Sequence, residues 1–419
     1  MTMSCSSLGR SPPRQSVELP AGTMPQGSCL PVAALLGSYS NIGTLTLPNI
    51  TQGCFYAYRL FEIAEEVDLT KLAGLPLPPS VSLRPGRLTF FGRLRSLLSV
   101  VAVGLRDVEL ETGVWVQADC TVLVFSFGVM SACFQVPIGK ATAAQPLAAS
   151  LSTAQAATIV AQFNESAEVT RIGRELTEQV AGLLSPAIVR RIEYPEYETY
   201  TLVAIQKWGA PCSIDEVLQS ADLGRMLLGE TPDWTPAPNF LAQLVNHHYR
   251  YNIDDLCVID WNAAVTVDPS PTEDIPDLLA LALTQLLEFQ RYDAILEREL
   301  NVLYEWTFEG RGSEHWWRPG KAQKRVDRVN RLLLDIGDFI DRSQNAFKIS
   351  EDVHYARIYR GAIERFQVPT WRSSVQARQQ AVAEVARTIY DRAQLGVAHM
   401  LEIIIILLIA FEIVYAFFK

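Results

Sequence analysis

Cysteine is sparse and unpaired in this chain of 419 residues. Cys5, Cys29, Cys54, Cys120, Cys133, Cys212 and Cys257 are scattered, odd in number and without a CxxC pair. A disulfide framework and a zinc-finger spacing are both excluded, which leaves reduced, buried thiols. Basic charge is also short: 36 Lys and Arg stand against 46 Asp and Glu, for a net charge of −10. A general nucleic-acid binder would need an overall basic face, and the chain has none. Catalytic signatures are missing too, with no P-loop, no GxSxG and no HExxH. His247 and His248 are adjacent, so on a helix they point apart, and no carboxylate follows at ligand spacing. No catalytic residue, cofactor or metal is assigned, and the chain is not read as an enzyme. The first 40 residues lack a basic region followed by an apolar run, so no secretory signal is read. They are rich in Ser, Pro and Gly, and 1–45 is expected to be disordered. The stretch to Val17 has two Arg and no acid, a faint likeness to a mitochondrial transit peptide.

What is present is apolar. Apolar residues make up 49% and charged residues 20%, enough for a sizeable core in two or three units. The segments 54–61 and 198–206 read as strands. The segments 121–134 and 256–267 each read as two short buried strands around a break, the first turning at Gly128. The stretch 154–184 reads as helix. A mixed α/β body over 46–270 follows. Its late acids, Asp254, Asp255, Asp260, Asp268, Glu273, Asp274 and Asp277, are read as a solvated loop and a helix start before a cation site.

From 271 to 396 the pattern is helical. Residues 277–308 form one helix, and the loop Glu309-Gly310-Arg311-Gly312-Ser313 ends it. Beyond it a four-three spacing runs through Ala322, Val326, Val329, Leu333, Ile336, Ile340, Ser343 and Phe347, a coiled-coil seam. The short connection makes the two helices an antiparallel hairpin. A shorter helix is expected over 351–365, and a last one runs from Trp371 into an apolar tail. Residues 397–418 are 22 in number, about 33 Å as helix, against a hydrocarbon core of ~30 Å. They are read as a transmembrane anchor, so the expected fold class is α+β: body, coiled-coil hairpin, anchor. Arg372, Arg378, Arg387 and Arg392 precede the anchor, which keeps the body on the cytoplasmic or matrix side. That places the protein in a bacterial inner membrane, or the mitochondrial inner membrane of a eukaryote. Glu412 within the apolar run faces either a protein partner or the far headgroups. By direction, the hairpin tip lies at the bilayer, where Trp316, Trp317, Arg318 and Lys321 are membrane-contact candidates.

Three stretches resemble a known family: Leu287-Glu288-Phe289-Gln290-Arg291-Tyr292-Asp293, the run from Asn345 to Tyr359, and Leu401 to Glu412. Val122 to Val129 and Phe55 to Leu72 are similar to its earlier signatures. The family is the one called required for meiotic nuclear division 1, domain of unknown function family 155. The resemblance covers about 54–418, with 210–251 a candidate insertion. It implies mitochondrial or endomembrane placement in eukaryotes, with one member tied to mitochondrial translation as an oligomer, and it brings no catalytic residues. The function expected is a tail-anchored scaffold that self-associates through Val326, Val329, Leu333, Ile336 and Ile340. The lipid bilayer and further copies of the chain are its partners. A factor contacting RNA or ribosomes, and an enzyme or ligand-binding module in the α/β body, stay open as alternatives. A pocket with convergent polar groups would favour the last of these.

Overall fold

The computed structural model describes residues 46–79, 81–85, 97–111, 114–192, 194–229, 237–270, 274–308, 319–346 and 352–417. In the long helices, the side chains at 306–308, 319–322, 342–346, 392–393, 396–398 and 416–417 fall outside the description. The described strands are β1 (Ile50–Glu62), β2 (Ser82–Pro85), β3 (Leu98–Glu111), β4 (Val114–Phe125), β5 (Val129–Ile138), β6 (Tyr197–Trp208), β7 (His248–Tyr249), β8 (Leu256–Ile259) and β9 (Ala263–Val267). They form one nine-stranded sheet in the order β2-β3-β4-β5-β1-β6-β9-β8-β7. Only β6 and β9 pair in parallel; the other neighbours are antiparallel. The two apolar runs with a break are the hairpins β4–β5 and β8–β9. Gly128 turns the first at φ 100°, where a Cβ would overlap the Ala64 carbonyl.

The sheet is buried on both faces, and β1 shows why. Phe55, Ala57, Phe61 and Ile63 enter one core, while Tyr56, Tyr58 and Leu60 enter the other, as a two-residue period requires. The first face is covered by α1 (Thr153–Glu165), α2 (Ala167–Leu183), α3 (Ile214–Gln219), α4 (Ala221–Leu228) and α5 (Pro238–Val245). The helical stretch 154–184 is divided at Ser166, whose hydroxyl accepts from the Val169 N–H and caps α2. Residues 210–251 join this core through Ile214, Val217, Leu223, Met226, Leu227 and Leu241.

The second face carries α6 (Asp274–Phe308), α7 (Pro319–Ala346), α8 (Val353–Arg365) and α9 (Val368–Phe417). Residues 278–289 of α6 are buried all round, as an almost wholly apolar helix must be. The architecture is thus a mixed α/β fold with a helical layer on each side of the sheet.

This corrects the expected fold class in two ways. First, α6 and α7 do not pair as a hairpin. The helix α9 lies along both and contacts each far more than they contact one another. Val326, Val329, Ile336 and Ile340 are buried and Leu333 is half-buried in the second-face core. The seam's four-three spacing selects an apolar partner helix without saying which. Here Gln379 of α9 donates to the Leu333 carbonyl at 3.3 Å, and Arg378 reaches Asp293 of α6 at 2.8 Å. Second, among the described residues no helix is long and apolar enough to cross a membrane. The apolar run at the far end of α9 is interrupted by charge. Glu402 and Glu412 stand within that run, both exposed. The transmembrane anchor over 397–418 and the single-pass membrane placement are withdrawn on this finding. The tip candidates Trp316, Trp317 and Arg318 lie outside the described residues, as does the side chain of Lys321.

Candidate functional site

Glu62 is the last residue of β1, and the period of two directs it to the second face. There it meets α6. Glu288 and Arg291 lie three apart on one side of that helix and both point at the strand end. Arg291 Nη1 is 3.1 Å from Glu62 Oε1 and 3.6 Å from Glu288 Oε2. All three residues are buried. Two carboxyls and one guanidinium therefore share a space without water.

Two like charges in such a space do not both ionise. Burial pushes the Glu62 carboxyl up to about 7, against the pull of Arg291. Burial and the neighbouring Glu62 raise Glu288 well above the usual carboxylate range. Burial works to lower the Arg291 guanidinium, but the two carboxyls outweigh it and raise it. No oxygen of Glu62 or Glu288 has a hydrogen-bond donor when both are counted as carboxylates, and Arg291 Nη1 is not aligned with either. A proton shared by the two carboxyls supplies the missing bond and leaves one negative charge against one positive.

Arg291 is also the link from this cluster to a cavity of about 930 Å³ between α6 and α7. Its deep end is aromatic. Phe339 of α7 packs on Phe289 at 5.2 Å, Tyr292 at 5.4 Å and Phe127 at 6.1 Å. Its rim carries both signs of charge. Arg190, Lys324, Arg328 and Arg331 face Glu65, Glu66, Glu299, Asp327, Asp335 and Asp338. Arg190 pairs with Glu65 across the rim. The loop after β1 is fixed here by bridges from Ala64 to Arg191 and from Val67 to Ile188.

Sequence reasoning missed this cluster. Glu288 and Arg291 were legible only as part of a family phrase, although an i, i+3 Glu–Arg pair at the end of a mostly apolar stretch is itself a signal. Glu62, at the end of an apolar strand, had no visible partner. Of the late acids, Asp255 and Asp268 line one pocket, and the others do not join them. Asp260 pairs with Arg365, whose Nε lies 2.6 Å from it, and Asp277 sits in the first turn of α6. Among the described residues no group of His, Cys, Asp and Glu is arranged to hold a metal. His248 Nδ1 lies 2.8 Å from the Val245 carbonyl. Glu412 lies on the exposed end of α9, away from this cavity.

The comparisons place the sheet but not the chemistry. Residues 52–273 match the family described as uncharacterized protein MJ0711, N-terminal domain. The chain is 21% identical over 226 residues to the uncharacterized protein MJ0711 of Methanocaldococcus jannaschii. That match covers 53% of this chain and 66% of the relative, just under two thirds of its length. No solved structure matches. The likeness to the meiotic nuclear division 1 family is corrected by this result. Of the first phrase that carried it, Leu287 to Asp293, the apolar residues Leu287, Phe289 and Tyr292 are buried against the second-face core, where packing alone calls for such side chains. The match over residues 52–273, more than half of the chain, shows that the chain belongs to the family of uncharacterized protein MJ0711, N-terminal domain.

Proposed function

We propose that the protein is a ligand-binding module whose site is the cavity between α6 and α7. The observation that carries this reading is the Glu62–Glu288–Arg291 cluster: a buried ion group, short of hydrogen bonds, at the wall of a roomy cavity. Such groups cost stability where they serve packing alone, and they gather where ligands are handled. The mixed rim favours a small molecule carrying both charge signs, such as an amino acid or short peptide, over a polyanion. On binding, an anionic group near Arg291 competes with the carboxyls and changes their shared proton. The test is a thermal-shift panel of amino acids and dipeptides on the full chain, with hits followed by calorimetry in buffers of different ionisation enthalpy. A saturable shift, lost in Arg328→Glu/Arg331→Glu and accompanied by proton exchange, supports the reading. A panel without any saturable shift, or shifts unchanged in that variant, sinks it.

A second reading rests on the end of α9. From 401 to 415 its side chains are exposed on every side, including Ile403 to Ile406, Leu407 and Leu408. Apolar area of that extent is a site of association. Self-association of the chain through this segment accounts for it, since the seam of α7 is already covered by α9. Sedimentation velocity on the full chain and on Ile404→Glu/Leu408→Glu decides the matter: a full chain that stays monomeric at tens of micromolar removes this reading.

A further inference from the structure

We propose that the pocket between the β7–β8 hairpin and the start of α8 binds an organic cation of the quaternary-ammonium or guanidinium type. The pocket has a volume of about 270 Å³ and shares no lining residue with the α6–α7 cavity. Its walls are aromatic rings and carboxylates. Tyr249, Tyr251, His354 and Tyr355 supply the rings, Asp255, Asp268 and Asp352 the charge, and among the described residues no Lys or Arg lines it.

The rings are held in place. Tyr251 packs on His354 at 5.3 Å between centroids, and His354 on Tyr355 at 5.8 Å. Yet Tyr251 is 74% exposed, an aromatic ring presented to water at the mouth. Its own turn keeps it there. Asp255 Oδ1 accepts from the Tyr251 N–H at 2.7 Å, and Arg250 Nη2 donates to the Ile253 carbonyl at 2.6 Å. Opposite, Tyr249 reaches under α8 because residue 361 is glycine; a Cβ there would overlap the Tyr249 hydroxyl. Asp268 is oriented by accepting from the Ser270 N–H at 2.8 Å.

The chemistry of the walls selects the ligand. Ring faces carry negative quadrupole potential, and carboxylates add to it, so a diffuse cation with an apolar skin is favoured. A bare metal ion is not, because among the described residues no group of His, Cys, Asp and Glu is arranged to hold one. An anion would seek the N-terminus of α8, but Asp352 already accepts from His354 N at 2.7 Å and Tyr355 N at 3.3 Å. That cap leaves those two amides engaged, and the pocket reads as electronegative.

The experiment titrates the full chain with choline and with a peptide bearing trimethyllysine, read by calorimetry and by the ring resonances of Tyr251 and His354. Methylguanidinium and sulfate are run alongside, the sulfate as a probe that should not bind. Saturable binding of at least one cation is expected, weakened roughly tenfold in Tyr251→Ala and in Asp268→Asn. His354→Phe keeps a ring and should retain affinity, whereas His354→Ala should lose it. Tyr251 is exposed, so its replacement tests the site without endangering the fold. The preference between choline and the peptide tells whether the cation is free or carried on a protein. Absence of saturable binding by every cation, or affinities within threefold of the parent in both Tyr251→Ala and Asp268→Asn, overturns the proposal.

Discussion

The two faces of the sheet are closed by different means. The first, under α1 to α5, is filled almost entirely with Val, Ile, Leu, Phe and Ala. Its one large buried ion is Arg59, and it has no carboxylate partner there. Nη1 donates to the Tyr58 carbonyl at 2.8 Å, Nε donates to Thr170 Oγ1 at 3.0 Å, and Nη2 donates to the Phe163 carbonyl in the last turn of α1. That helix end is the negative pole of its dipole, which suits a cation. Burial still pushes the Arg59 guanidinium down to about 10. The second face, under α6 to α9, has an apolar core of similar extent threaded by ions: Glu62, Glu288 and Arg291, then Asp260 with Arg365, then Asp293 with Arg378. The family match ends at 273, just before α6 begins at Asp274. The dry face therefore lies inside the matched segment, and the helices of the ionic face lie beyond it. The comparison locates the cost of buried charge on the second face, which is also the face of the proposed site: Arg59 is satisfied by two backbone carbonyls and a hydroxyl, whereas Glu62, Glu288 and Arg291 lean on one another.

Three changes would break or sharpen this contrast. The largest effect is expected from Arg291→Met, which leaves two carboxyls buried with no cation. A loss of about 3–5 kcal/mol in urea denaturation is expected at neutral pH, largely restored when Glu62→Gln and Glu288→Gln are added. A loss below about 1 kcal/mol would show that the cluster is open to solvent. Next is Arg59→Met on the first face. Three acceptors lose their donor while the volume is kept, so about 1–3 kcal/mol should be lost. That loss should be flat between pH 5 and pH 8, because no carboxylate or imidazole pairs with Arg59 in the contacts described. A pH-dependent loss would erase the distinction between the faces.

The smallest effect is the pH slope of the parent chain. Glu62 is raised from 4.5 to about 7 on folding, so between these values the native state holds a proton that the unfolded chain has released. Its contribution is complete below about 4.5 and is lost as pH rises through about 7. Stability attributable to this pair should fall across that window, and Glu288, raised well above the usual carboxylate range, carries the fall beyond it. The fall should vanish in Glu62→Gln/Glu288→Gln, with both profiles taken from urea midpoints. A rise across the window in the parent relative to the double variant would reverse the assignment.

The sequence by itself marked β1, β6 and the hairpins β4–β5 and β8–β9 as strands and the long segments after 274 as helices, while β2, β3, β7 and α3 to α5 went unread. The period of two in β1 and β6, the breaks inside β4–β5 and β8–β9, and the four-three spacing of α7 are local properties, fixed by which side chains must leave water. It also identified the apolar end of α9, where four successive isoleucines admit no polar face. What the sequence could not decide is which apolar face meets which. The seam of α7 would serve any matching helix, and only the packed structure gives it to α9 in place of α6. Nor could it unite Glu62 with Glu288 and Arg291. They lie far apart along the chain, and each by itself is an ordinary charged residue at a strand end or on a helix. Their shifted titration exists only because the sheet and α6 exclude water from all three at once, and exclusion of water is a property of the assembled core.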